Sequence, residues 1–188
     1  MKKTINDFSI LIVEDEPAIL DLLEDYLKKE GESVDGALRG EIALSKHQET
    51  PYDLLIVDIN LPDISGIDLM KRIRTFDSVV EFIIITGYAS LESAIEALRL
   101  GAFDYIIKPF RIEELKNTVK NVKEKVILKH LNGYLFKSIE NLYNEIQRYS
   151  MGNQTETFEK GIQHIHTQKI MDIIRTLEDY RKGRFLID

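Results

Sequence analysis

The chain contains no cysteine, which excludes disulfides and thiolate metal sites and suits a reducing compartment. No apolar run approaches the roughly twenty residues that a membrane-spanning helix needs. The opening MKKTINDF has no apolar stretch behind its lysines, so a secretory leader is not expected either. Neither an internal repeat nor a low-complexity segment occurs. Prolines number only 4, and 44% of the 188 residues are hydrophobic, enough for one full core and a smaller appendage but not for two complete enzymes. A soluble, cytoplasmic chain is the expectation.

The net charge of −7 is unevenly shared. Residues 1–110 hold 11 Lys or Arg against 21 Asp or Glu, whereas residues 111–188 hold 14 against 11. The front part should attract cations and repel nucleic acid. The small positive excess of the tail is dispersed among glutamates and forms no basic stripe, so contact with nucleic acid is not expected.

Four short β-branched runs, FSILIV (8–13), DLLIV (53–57), VEFIII (80–85) and DYII (104–107), read as strands buried on both faces, and ESVDGAL reads as a weaker fifth. Amphipathic stretches lie between them at 16–30, 40–49, 66–75 and 90–100. Pro17 sits near the first turn of one helix, and Gly31 and Gly101 follow two of the others. Alternation of this kind predicts a doubly wound parallel sheet of five strands with helices on both faces, because parallel strands require right-handed crossovers of this length.

Glu14 and Asp15 follow ILIV, Asp58 follows LLIV, and Lys108-Pro109 follows DYII. In an open parallel sheet these strand ends share one crevice. Three acids in a partly dehydrated pocket repel one another unless a cation sits among them. Mg²⁺ fits best, because it takes one or two carboxylates and keeps water and phosphate oxygens as its other ligands. Lys108 would aim its ammonium across the same crevice, and the Thr86 hydroxyl could donate to an anion there, with Gly87 leaving the backbone room. Taken singly, each acid could instead cap a following helix or turn, and Thr86 could cap the helix starting near Ser90.

The segments ILIVEDEP, LLIVDINLPDISGIDL, IIITGYAS and AFDYIIKPF, in that order and spacing, resemble the receiver domain of the response-regulator family of two-component signalling over the first 125 or so residues. The resemblance implies a (βα)5, flavodoxin-like receiver over 1–125. In it Asp58 accepts a phosphoryl group from a sensor histidine kinase, Glu14 and Asp15 bind Mg²⁺ directly or through water, and the backbone carbonyl of Asn60 supplies a further ligand. It also implies that Thr86 and Lys108 hold the phosphoryl oxygens, that Thr86 and Tyr105 form the conformational switch, and that the Lys108–Pro109 bond is cis. In the family, the positions of Asn60 and Tyr88 flank the water that attacks the phosphoryl group.

Residues 126–188 read as an all-α helical hairpin. Leu115, Val119, Val122 and Val126, then Leu135, Ile139, Leu142, Ile146 and Tyr149, recur at steps of three and four with a phase slip near Asn132-Gly133. After a break at Ser150–Asn153, a second stripe runs through Phe158, Ile162, Ile165, Ile173, Leu177 and Tyr180. Two such stripes predict coiled-coil-like dimerisation, or docking of a partner protein, through 112–188; folding of both helices back onto the receiver is the alternative.

No helix-turn-helix, cyclase, metal or nucleotide-loop motif appears in this tail. The hairpin is loosely similar to the dimerisation and phosphotransfer hairpin of histidine kinases around His130, but Leu131 stands where an acid is expected and Leu135 where a proline is. His130 is accordingly read as a surface helix histidine. His164 and His166 point to different helix faces and make a poor metal pair.

The leading function is therefore a phosphoacceptor signalling protein rather than an enzyme, with a receiver-containing fragment of a hybrid histidine kinase as the alternative. A magnesium-dependent phosphatase of the haloacid dehalogenase type would need a second Asp two residues after the nucleophile, and Asn60 occupies that position.

Overall fold

The computed structural model describes residues 3–4, 8–150, 171–172, 174–176, 178 and 186–187. The chain divides into two compact units, Asp7–Glu124 and a second made of Met1–Asn6 with Lys125–Asp188. In chain order the elements are β1 (Lys3–Thr4), β2 (Ser9–Val13), α1 (Pro17–Lys29), β3 (Ser33–Ala37), α2 (Gly40–Glu49), β4 (Leu54–Asp58), α3 (Gly66–Arg74), β5 (Glu81–Thr86), α4 (Leu91–Arg99), β6 (Asp104–Ile107), α5 (Ile112–Ser150) and β7 (Leu186–Ile187).

In the first unit five strands form one sheet in the order β3-β2-β4-β5-β6, and every neighbouring pair is parallel. Helices separate successive strands, so this is the doubly wound sheet the periodicity predicts. Strand period sorts the core into two layers. Leu11, Val13, Leu55, Val57, Phe82 and Ile84 pack with Leu69, Met70 and Ile73 of α3, Ala43 of α2 and Ala97 of α4. The alternate set, Ile10, Ile12, Leu54, Ile56, Ile83 and Ile85, points the other way and is equally buried, as are Leu20, Leu23 and Leu27 of α1 and Leu115, Val119 and Val122 of α5. Burying one such side chain contributes roughly 1.5–3 kcal/mol, so the layered core dominates stability.

Local chemistry sets the element ends. Pro17 opens α1, with Lys28 and Lys29 in its last turn, where cations complement the helix dipole. The Ser65 hydroxyl caps α3 by accepting from the Asp68 N–H at 3.2 Å. Ser90 and Ser93 form a reciprocal capping box at the start of α4, so Thr86 does not cap that helix. Gly66 is demanded by packing, because a Cβ there would stand 2.2 Å from the Asp58 carbonyl oxygen and 2.8 Å from Val57 Cγ1.

In the second unit α5 continues without interruption through Asn132-Gly133, where the sequence shows a phase slip. Leu131 is buried with Ile127, Tyr134 and Leu135 against it. Met171, Asp172, Ile174–Thr176 and Glu178 are helical, and Thr176 Oγ1 donates to the Tyr134 hydroxyl at 3.2 Å. The antiparallel pairing of β1 with β7 was not anticipated, since two-residue strands carry no period. The stripe residues Phe158, Ile162, Ile165, Ile173, Leu177 and Tyr180, with His164 and His166, lie outside the described residues, as do the side chains of Ile146 and Tyr149.

Gly66→Ala should cost about 1–3 kcal/mol by overpacking against fixed backbone. Gly133→Ala, where an added Cβ meets nothing within 4 Å, should stabilise by up to about 1 kcal/mol through helix propensity. Urea denaturation of the two variants would separate them, and similar effects would refute the close approach at Gly66.

Candidate functional site

The chain leaves β2 for β3 on one side and returns to β4 on the other, so strand order reverses between β2 and β4. A ligand crevice opens beyond the carboxyl ends of the strands at such a point. Glu14 and Asp15 directly follow β2, Asp58 ends β4, Thr86 ends β5 and Lys108 directly follows β6. Five of the residues singled out in the sequence are thus delivered to one end of the sheet.

Lys108 Nζ lies 2.6 Å from Glu14 Oε2 and 2.7 Å from Asp58 Oδ2. Glu14 is 2% exposed and Asp58 6%, so the ammonium is shared by two carboxylates largely withdrawn from water. Burial pushes the Glu14 carboxyl up from its ordinary pKa, and the nearby Asp58 charge adds to this, against the opposing pull of Lys108. For Lys108 burial works to lower the pKa, but its hydrogen bonds to Asp58 and Glu14 and their charges outweigh it and hold the group above its usual value. Glu14, Asp15 and Asp58 each offer a carboxylate oxygen, and these oxygens lie within 4.8 Å of one another. Asp15 is exposed.

With all three acids ionised and one ammonium among them, two negative charges are left over, the charge of one divalent cation. Glu14 Oε1 is buried and has no hydrogen-bond partner among the described residues, an arrangement that costs free energy unless something completes it. The donor set is all oxygen, small and open to solvent at Asp15, which fits a hard ion that retains water.

The surroundings are ordered by short backbone bonds. Asp58 Oδ1 accepts from the Asn60 N–H at 2.9 Å, and the Thr86 carbonyl accepts from the Lys108 N–H at 2.8 Å. Thr86 is fully buried; its Oγ1 accepts from the Tyr88 N–H at 3.2 Å and from Asn60 Nδ2 at 3.5 Å. The Tyr88 ring is 84% exposed. An added Cβ at Gly87 would meet no protein atom within 4 Å, so the side next to Gly87 is open. The Lys108–Pro109 peptide is cis. Tyr105 is half-buried, and its hydroxyl lies 2.8 Å from Ser93 Oγ in the α4 capping box.

The N-cap of α1 is Glu16, which makes no side-chain cap bond, so neither Glu14 nor Asp15 is the cap residue of that helix. Asp58 does close a local turn onto Asn60, but only with the oxygen not held by Lys108.

Two residues went unnoticed in the sequence. Ser93 meets Tyr105 across the fold. Asp63, in the loop between β4 and α3, accepts from the N–H groups of Gly40 at 3.0 Å, Glu41 at 2.9 Å and Ile64 at 2.9 Å. Burial acts to raise the Asp63 pKa, but the donors of Glu41, Gly40 and Ile64 prevail and hold it below the usual carboxylate value. The only available signal was an aspartate after a proline, which reads as an ordinary turn.

A doubly wound sheet with an acid cluster and a lysine at its switch point defines a class of cation-binding, anion-handling α/β domains. The particular family follows from comparison. A sequence model of the response regulator receiver domain matches residues 10–120, and the chain belongs to that family, whose receivers are signalling phosphoacceptors.

Among curated relatives, regulatory protein AtoC of Escherichia coli is 35% identical over 133 residues, covering 69% of this chain and 29% of that protein. Response regulator ArlR of Staphylococcus haemolyticus is 40% identical over 114 residues, covering 61% of this chain and 52% of that protein. The chain thus spans about a third to a half of these relatives. Among solved structures, a CheY-like receiver domain protein from Methanospirillum hungatei matches with a TM-score of 0.63 at 34% identity, over 64% of this chain and 97% of that one. Response regulator TrrA of Thermotoga maritima, in complex with Mg²⁺–BeF, matches with a TM-score of 0.56 at 38% identity, over 61% and 97%.

Lys108→Ala would leave Glu14 and Asp58 facing each other without a counter-charge. At neutral pH in magnesium-free buffer it should cost about 3 kcal/mol. Glu14, already raised above its ordinary 4.5, would be raised further in the folded variant. A raised carboxyl contributes stability that is present below the unfolded pKa and lost as pH climbs through the folded one. The deficit should therefore shrink as the buffer is acidified toward 4.5. Urea titrations at a series of pH values would show it, and a pH-independent deficit would contradict the charge argument.

Proposed function

We propose that the chain is a response regulator whose Asp58 carboxylate takes a phosphoryl group from a sensor histidine kinase. The observation that carries this reading is Lys108 Nζ held between Glu14 and Asp58 beside a third acid. Glu14, Asp15, Asp58 and the Asn60 carbonyl would hold Mg²⁺. Bound there, magnesium would neutralise charge on the phosphoryl oxygens. An Asp58 oxygen attacks phosphorus as the P–N bond of the donor phosphohistidine breaks, with the electron pair leaving on nitrogen. Lys108 and Asp58 already touch, so the ammonium is in place for the incoming oxygens, and the Thr86 hydroxyl can donate to another of them.

Differential contact would make the switch: Thr86 drawn toward the phosphoryl group gives up its present bonds, and Tyr105, tied to Ser93, transmits the change to α4.

The receiver is assigned to 1–125 and the helical extension to 126–188. Phe136, Ile139 and Tyr143 are exposed at steps of three and four on α5, which supports a tail that dimerises or docks a partner protein through 112–188. Several relatives are named transcriptional regulatory proteins, so they lend no support to the expectation that nucleic acid is avoided. The regulators named above do not favour the hybrid-kinase alternative. No helix among the described residues is long and apolar enough to cross a membrane; a cytoplasmic location is proposed from membership of the response-regulator family.

Incubation with acetyl phosphate and Mg²⁺, followed by intact-mass spectrometry, should add one phosphoryl group per chain, and the addition should vanish in Asp58→Asn and with a chelator. Sustained hydrolysis of small phosphate esters over many turnovers would instead make the chain a phosphatase. Light scattering with and without Mg²⁺ and beryllofluoride tests the tail. A shift from monomer to dimer in the unmodified chain but not in Asp58→Asn makes it a switch, and a constant dimer makes it a scaffold.

A further inference from the structure

Asp63 stands outside the charged pocket, yet it holds one side of the loop that carries a proposed metal ligand. The helix it caps is not its own. Arg39, at the N-cap of α2, provides no side-chain hydrogen bond, so the first N–H groups of that helix need an acceptor from elsewhere. Asp63 reaches across 23 residues of sequence to supply it, Oδ1 accepting from Gly40 and Oδ2 from Glu41. The same Oδ1 accepts from Ile64, which fixes the carboxylate relative to its own backbone.

A second, apolar contact presses the same two segments together. A Cβ on Gly40 would stand 2.4 Å from Ile64 Cγ1 and 2.9 Å from its Cδ1, so the glycine that begins α2 leaves the space Ile64 occupies. At its other end the loop is fixed to β4 by the Gly66 N–H donating to the Ile59 carbonyl at 2.9 Å, by Asn60 N–H on Asp58, and by the close approach of Gly66 to the Asp58 carbonyl. Asn60 lies between these two anchorages. A backbone carbonyl has no rotamer of its own, and its direction is set by the loop that contains it.

We infer that Asp63 is a positioning residue for the metal site: by clamping the 59–65 loop onto the N-terminus of α2, it sets the direction of the Asn60 carbonyl toward the cation. The inference rests on the reading of Asn60 as a magnesium ligand. Groups that orient ligands without touching the metal change affinity by roughly 10–100-fold when removed, and Asp63 acts through three residues of backbone, so the low end applies.

The test compares magnesium affinity, by calorimetry on the full chain, with amide hydrogen exchange at Gly40 and Glu41. Asp63→Ala should speed exchange at both amides and weaken magnesium binding by about 10-fold. Asp63→Asn keeps Oδ1 for Gly40 and Ile64 and loses only the Glu41 bond, so it should fall between the two, and it carries the test if the alanine variant does not fold. Faster exchange at Gly40 and Glu41 with unchanged magnesium affinity would overturn the inference and leave Asp63 as a cap for α2 alone. Failure of the unmodified chain to bind magnesium would overturn the metal reading itself, and this inference with it.

Discussion

Charge confined at the strand ends is the constraint on which the rest of the structure turns. Glu14 and Asp58 are both nearly sealed from water, and two carboxylates so placed are stable together only because Lys108 reaches both. One ammonium is not enough for three acids. Burial, with the Asp58 charge adding to it, holds the Glu14 carboxyl above its ordinary pKa despite Lys108, and Glu14 Oε1 is buried with no hydrogen-bond partner among the described residues. A pocket under these conditions is poised for a divalent cation. The doubly wound sheet serves this by bringing strand ends from distant parts of the chain to one crevice.

Two contacts that lead out of that pocket end at helix N-termini. One runs through Asp58 and the 59–65 loop to Asp63 and the first turn of α2. Another runs from the strand end at Thr86 to the neighbouring strand β6, where Tyr105 meets Ser93 in the α4 cap. Each joins a backbone segment at the site to a helix N-terminus, the part of a helix whose N–H groups have no partners of their own. A capping bond contributes about 0.5–2 kcal/mol, so these contacts tie the pocket to two helix ends without involving the core.

Much of this was legible in the sequence, and the reasons differ residue by residue. The strands were readable because runs such as LLIV and FIII are buried on both faces and cannot be amphipathic helices of that length. Glu14, Asp15, Asp58, Thr86 and Lys108 were readable because a strand end is a position as well as a composition. Asp63 and Ser93 were not, since each acts on a segment many residues away and neither breaks a local pattern. The pairing of β1 with β7 was hidden for a related reason, as two residues have no periodicity to detect.

The tail shows where local pattern and structure diverge. Gly133 inside a helix costs about 1 kcal/mol relative to alanine, and the apolar phase slips at the same point, yet α5 runs on through it. A slip need not end a helix; it can change which face is apolar. Beyond it Leu135 is half-buried in the cluster around Leu131, while Phe136 and Ile139 stand exposed on the following turn. Rings and branched side chains at 136, 139 and 143 leave an apolar face in water, which exceeds what one buried cluster requires. The receiver face of the molecule is determined by its pocket. The tail, by contrast, presents on α5 an apolar surface that its own cluster around Leu131 does not use.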